Sequence, residues 1–153
     1  MTQLAEGAAA PDFDLETPDG RVTLADFAGR TLVLYFYPKD DTSGCTREAQ
    51  DFTALAGDFA AAGVTVVGVS KDSVASHRKF ATKHGLGVVL ASDPDGDVVE
   101  RYGSWVEKSL YGRKYMGIDR STFLIRDGRI VKAWRKVKVP NHAAQVLAAA
   151  QAA

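Results

Sequence analysis

"TLVLYFYPKDDTSGCTRE", Thr31 to Glu48, is the stretch on which the fold turns. Its first seven residues are apolar on both faces and rich in β-branched and aromatic side chains, which predicts a central strand buried on two sides. Its end opens a helix. From Cys45 onward Ala49, Phe52, Leu55, Ala56 and Phe59 recur at helical spacing and Gly63 supplies a stop, giving about four or five turns. Between strand and helix lies the only cysteine of the chain, with Thr42 three places before it and Glu48 three places after.

Working outward, "VTVVGVS" (Val64 to Ser70) repeats the buried-strand pattern, and "SVASHRKFATKHG" reads as a helix closed by Gly85. This βαβα order calls for parallel strands. A short strand "VVLAS" precedes the turn "DPDG" and a helical piece "DVVERYG". The following "SWVEKSLYGRKYMG" shows no usable period and reads as an irregular segment, whose Trp105, Tyr111 and Tyr115, together with Tyr102, cover an edge of the core. "DFDLETPDGRVTLADF" predicts a hairpin around Pro-Asp-Gly near the N-terminus, and "STFLIR", "DG" and "RIVKAWR" form a second hairpin before the helix "NHAAQVLAAAQ". A βαβ half joined to a ββα half predicts an α/β protein, a thioredoxin-like three-layer α/β/α sandwich with an N-terminal β-hairpin extension, as one domain over residues 1–153.

Composition narrows the function. The 153 residues are 46% hydrophobic, enough for a core without staples. Nineteen Lys and Arg balance nineteen Asp and Glu, which disfavours nucleic acid and anionic membrane surfaces as partners. "MTQLAEGAAAPDF" lacks a basic segment followed by an apolar one, and no apolar run approaches the ~20 residues of a membrane span, so a cytoplasmic protein is expected. A single cysteine makes no internal disulfide. It is either an inert core thiol or a reactive one.

The seam favours reactivity. Ligands in open α/β sheets bind beyond the carboxyl ends of the strands, and the first N–H groups of a helix have no backbone partners, so a thiolate at that point gains hydrogen bonds and a favourable dipole. Gly44 leaves room for a small substrate to approach the sulfur. Thr42-Ser43-Gly44-Cys45 occupies the place where a thioredoxin-type oxidoreductase carries Cys-x-x-Cys, with the first cysteine replaced by a hydroxyl that both donates and accepts.

"FYPKDDTSGCTRE" resembles the active-site segment of the peroxiredoxins, Pro-x-x-x-Thr-x-x-Cys, through Pro38, Thr42 and Cys45. The surrounding residues, and a second block "YGRKYMGIDRSTFLIRDGRI", are similar to the peroxiredoxin Q branch, also called bacterioferritin comigratory protein. The likeness runs over nearly the whole chain. It implies reduction of hydrogen peroxide and organic hydroperoxides, with Cys45 becoming a sulfenic acid, and it supplies an active-site arginine at Arg120. It further implies that Thr42 holds the peroxide in line, that Pro38 packs over the sulfur, and that Glu48 orients Arg120 through a bidentate pair. The expected centre is thus an exposed thiolate facing a guanidinium across a gap the size of a hydroperoxide. A cationic donor is chemically necessary, because taking a thiol pKa from about 8.5 to about 6 raises the thiolate fraction at neutral pH only about thirtyfold. Donors aimed at the leaving oxygen must supply the rest.

Relatives of this branch resolve the sulfenic acid with a second cysteine five or about 36 residues on, and those places hold Gln50 and Ala81. The resemblance therefore implies a one-cysteine cycle in a monomer, with an external thiol as reductant: thioredoxin, glutaredoxin or glutathione. Over-oxidation then competes with recycling. The missing second cysteine leaves an alternative, a peroxide sensor or thiol-binding module without efficient turnover, and a structural protein with a buried thiol stands third. Thr42 also suits a helix N-cap. Asp40 and Asp41 read as turn formers, and His77, His84 and His142 as surface residues without ligand spacing, so neither metal nor cofactor is expected.

Overall fold

The computed structural model describes residues 6–152; residues 1–5, part of the N-terminal stretch read as free of a leader, and residue 153 lie outside that range. At its centre is β3 (Thr31–Phe36), paired in parallel with β4 (Val64–Ser70) and antiparallel with β8 (Ser121–Arg126). Among the described residues the sheet has seven strands, in the order β2 (Gly20–Thr23), β1 (Asp14–Thr17), β5 (Val89–Ser92), β4, β3, β8 and β9 (Arg129–Trp134). The N-terminal hairpin of β1 and β2 extends one edge through β5, and β9 closes the other. The fold is the thioredoxin-like α/β plan expected from the order of strands and helices along the chain.

Strand β3 shows why one stretch decides so much. Its side chains alternate between two apolar layers, as the period of two in a strand requires. Leu32, Leu34 and Phe36 face a core with Phe13, Leu15, Val98, Val99, Tyr102 and Phe123; Val33 and Tyr35 face the other, with Phe52, Phe59, Phe80 and Val146. Four helices cover the second face: α1 (Ser43–Ala54), α2 (Ala56–Ala61), α3 (Val74–His84) and α5 (His142–Ala152). The first face is covered more thinly, by a 3₁₀ turn at Leu24–Phe27, α4 (Asp97–Arg101) and the chain before β1. Phe36, Tyr102 and Phe123 pack there as a tilted and edge-on trio, an arrangement worth about 0.5–1.5 kcal/mol per pair beyond area burial.

Two expectations are corrected. The single helix after Cys45 is two, broken at Leu55. The segment read as irregular is a hairpin, β6 (Trp105–Leu110) against β7 (Arg113–Ile118), forming a separate two-stranded sheet. It stands largely in solvent, so no buried face imposes an alternating pattern on its sequence. Its turn residues Tyr111 and Gly112 both have positive φ, as a two-residue hairpin loop demands, with tyrosine in the place usually taken by Asn or Asp. Of the aromatic residues expected to cover the core edge, Tyr102 and Trp105 do so, whereas Tyr111 and Tyr115 are exposed.

Candidate active site

The carboxyl end of β3 passes into the loop Tyr37–Thr42 and then into α1, which places Cys45 in the first turn of that helix. Thr42 is the N-cap by backbone conformation, yet its hydroxyl makes no cap bond and donates instead to the carbonyl of Lys39 at 2.9 Å. The first intrahelical bond runs from Thr46 N to Thr42 O, so the N–H groups of Ser43, Gly44 and Cys45 precede the helical ladder. The N-cap reading of the Thr42 side chain is therefore replaced by a tie within the loop.

Arg120, at the entry to β8, reaches across to this turn. Its Nη2 donates to the Cys45 sulfur at 3.2 Å and its Nη1 donates to Oε1 of Glu48 at 2.6 Å. The expected bidentate pair with Glu48 is thus a single bond. Splitting the guanidinium this way leaves one arm for the sulfur. Glu48 lies one helical turn beyond Cys45, on the same face, which is why one side chain contacts both. Gly44 is small for this arginine rather than for the substrate alone: a Cβ there would lie 3.2 Å from Nη2.

The electrostatics are those of a partly buried ion cluster. Burial pushes Glu48 up to about 7, and the charge and hydrogen bond of Arg120 only partly offset it. Burial would lower the Arg120 guanidinium, but Glu48 and Cys45 outweigh it and hold it above its usual range. Oε2 of Glu48 has no hydrogen-bond partner among the described residues. Lys108 of β6 brings a further cation toward the site; burial lowers its pKa and Arg120 acts in the same direction, against Asp119 and Cys45.

The sulfur is not exposed as expected. Cys45 retains 2% of its accessible surface and joins the apolar cluster of Val33, Tyr35, Tyr37, Ala49 and Phe52. Because α1 lies on the sheet, the first-turn residue that faces Glu48 also faces the core. Pro38, expected over the sulfur, is itself exposed, and so is Thr42. Gln50 is exposed and Ala81 half-buried on α3, and neither carries a thiol.

Sequence reasoning missed what lies beneath the loop. Asp40, read as a turn former, is buried, and His77, read as a surface residue, has no exposure at all. Tyr37 Oη donates to Oδ1 of Asp40 at 2.5 Å, Ser76 Oγ donates to Oδ2 at 2.8 Å, and His77 Nδ1 lies 2.7 Å from Oδ2. The signal was present, since His77, Phe80 and Ala81 form one helical face. His142 is also buried, against Thr122 Oγ1 at 2.8 Å, and burial, helped by the charge of Arg120, lowers its pKa to about 4. His84 is half-buried and pairs with Asp41 at 2.8 Å.

The AhpC/TSA family model matches residues 7–134. The chain belongs to this family of peroxiredoxins. The peroxiredoxin is 48% identical over 143 residues to a putative peroxiredoxin bcp of Coxiella burnetii, an alignment covering 92% of this chain and 95% of the relative. It is 47% identical to peroxiredoxin Bcp of Bacillus subtilis, with 92% and 91% covered. Among solved structures, the bacterioferritin comigratory protein of Xanthomonas campestris, described for its alkyl peroxide reduction activity, superposes with a TM-score of 0.90 at 45% identity, covering 99% of this chain and 98% of that one. A serine variant of PrxQ from Xylella fastidiosa superposes with a TM-score of 0.93 at 40% identity, with 99% and 98% covered. Membership makes this peroxiredoxin a thiol peroxidase, with peroxides as substrates and thiols as reductants.

Proposed function

We propose that Cys45 reduces hydrogen peroxide and organic hydroperoxides in a one-cysteine cycle, in a single domain spanning residues 1–153. The observation that carries the reading is the 3.2 Å approach of Arg120 Nη2 to the sulfur, in a chain with no other cysteine. Sγ donates an electron pair to one peroxide oxygen, the O–O bond breaks, and the departing hydroxide or alkoxide takes up a proton. The sulfur is left as a sulfenic acid, oxidised by two electrons. Arg120 stabilises the charge that builds on the leaving oxygen, Thr42 and the first-turn N–H groups hold the substrate, and Glu48 and Gly44 fix the guanidinium. Pro38 shapes the loop from its exposed side.

An external thiol then attacks the sulfenic sulfur, releasing water and leaving a mixed disulfide, and a second thiol frees Cys45. A residue with 2% exposure lies out of reach of a protein surface. Glutathione therefore reaches the oxidised sulfur more readily than thioredoxin or glutaredoxin, which require the first turn of α1 to loosen. The protein works as a monomer in the cytoplasm, where thiol reductants abound. The second reading, a peroxide sensor whose Cys45 is glutathionylated without useful turnover, is favoured by the absence of a resolving cysteine.

Steady-state peroxide consumption, with glutathione, glutaredoxin and thioredoxin systems compared side by side, decides between them. Sustained turnover with at least one system is the expected result. A single oxidation event followed by a stable mixed disulfide establishes the sensor.

A further inference from the structure

Resting on the peroxidase reading, we infer that the buried pair Asp40–His77 is a positioning device that bolts the active-site loop to α3, with the His77 ring protonated on both nitrogens. The ring has no exposed surface and each nitrogen faces an acceptor: Nδ1 lies 2.7 Å from Oδ2 of Asp40 and Nε2 lies 2.9 Å from the carbonyl oxygen of Ala91. A backbone carbonyl only accepts, so Nε2 bears a hydrogen. On the other side the Asp40 carboxyl already receives hydrogens from Tyr37 Oη and Ser76 Oγ. Tyr37 Oη also lies 3.3 Å from Nδ1, but its hydrogen is committed to Asp40 at 2.5 Å. Burial pushes the Asp40 carboxyl up, yet the bonds from His77, Tyr37 and Ser76 more than offset this and hold it below the usual carboxylate range. A carboxylate against Nδ1 and a carbonyl against Nε2 make the ring an imidazolium.

The placement gives this pair its role. Asp40 lies two residues before Thr42 and five before Cys45, and its own N–H donates to Asp72 Oδ2 at 2.9 Å. Asp41, held at a positive φ of 61°, pairs on the outer side with Lys83 at 2.7 Å and His84 at 2.8 Å. The loop is therefore fastened to α3 at successive residues, on a buried side and a solvent side. The exposed pairs contribute little on their own, while a buried pair that loses one partner is strongly disruptive. The buried member therefore sets the register in which Thr42 and the first turn of α1 meet the peroxide.

The test uses reduced full-length protein and the variants Asp40→Asn and His77→Gln. Because misplacement of a binding group slows only the step it serves, oxidation of Cys45 by hydrogen peroxide is expected to fall at least about tenfold, while alkylation by neutral iodoacetamide stays within about threefold. Rates that fall together, or a peroxide rate that does not change, overturn the proposal. Should the variants fail to fold, the wild-type protein still answers. A long-range ¹H–¹⁵N spectrum of histidine-labelled protein at pH 7 is expected to show both His77 ring nitrogens protonated, and one unprotonated nitrogen overturns the assignment. Inert wild-type protein toward hydrogen peroxide refutes the peroxidase reading instead and leaves the spectrum to judge the pair.

Discussion

Arg120 Nη2 lies 3.2 Å from the sulfur of Cys45, although 75 positions separate the two in the chain. The antiparallel register of β3 and β8 brings them together: Phe36, the last residue of β3, pairs with Ser121, the first of β8. The residues just outside that pair, the loop after β3 and Arg120 before β8, therefore emerge at the same end of the sheet. The geometry of the proposed centre is a consequence of strand register.

The packing of Gly44 against Arg120 sets a specific tolerance. In Gly44→Ala the new Cβ sits 3.2 Å from Nη2, so the guanidinium must shift by a few tenths of an ångström. Stopped-flow oxidation of Cys45 by hydrogen peroxide is expected to slow by about tenfold. The thermal midpoint should change little, since the glycine is in a helical turn and gains helix propensity.

Glu48 makes the stability of the protein depend on pH. Its folded-state pKa of about 7 lies above the ordinary 4.5, so the native protein binds the extra proton between those values. The stabilisation linked to that proton is complete below pH 4.5 and is lost as pH rises toward 7. Denaturant titrations should show wild-type stability falling relative to Glu48→Gln across that window; a gap that widens in favour of the wild type would contradict the assignment.

His142 acts with the opposite sign. Its folded-state pKa of about 4 lies below the ordinary 6.5, so the unfolded chain binds the proton first as pH falls. Relative to His142→Gln, the wild type is expected to lose on the order of 2–3 kcal/mol between pH 7 and pH 4, measured by urea unfolding at each pH.

The Tyr35 side chain of β3 lies over Gly68 of β4, so a side chain at that position is poorly tolerated. Tyr35 pairs with Gly68 across the strands, and a Cβ at that position would lie 2.6 Å from the ring. Gly68→Ala is expected to cost about 1–3 kcal/mol of unfolding free energy through overpacking, as read from chemical denaturation.

Much of this was legible in the sequence because burial leaves a pattern. "TLVLYFY" and "VTVVGVS" announce two-sided strands, and the dipeptide Asp127-Gly128 announces the β8–β9 turn, where the structure shows the paired positive φ values that such a dipeptide accommodates. The β6–β7 arm escaped because a hairpin in solvent has no face to hide. The break at Leu55 escaped because the apolar spacing runs through it unaltered. At the site, local chemistry singled out Cys45 and the seam, whereas Arg120 was found through resemblance and its place at the entry to a buried strand, since no local period records which distant strand will deliver a cation. His77 was visible as a member of a buried helical face and was misread because a polar residue on such a face needs a partner, and Asp40 had been assigned to a turn.

The central claim is that the guanidinium at the sulfur accelerates peroxide cleavage itself rather than merely holding the helix. Single-turnover oxidation of Cys45 by hydrogen peroxide, followed by intact mass for the gain of one oxygen, is the most direct measurement. In Arg120→Ala this rate is expected to fall by about 10²–10³ while reaction with iodoacetamide falls far less. Equal losses in both reactions, or oxidation as fast as in the wild type, would contradict the account.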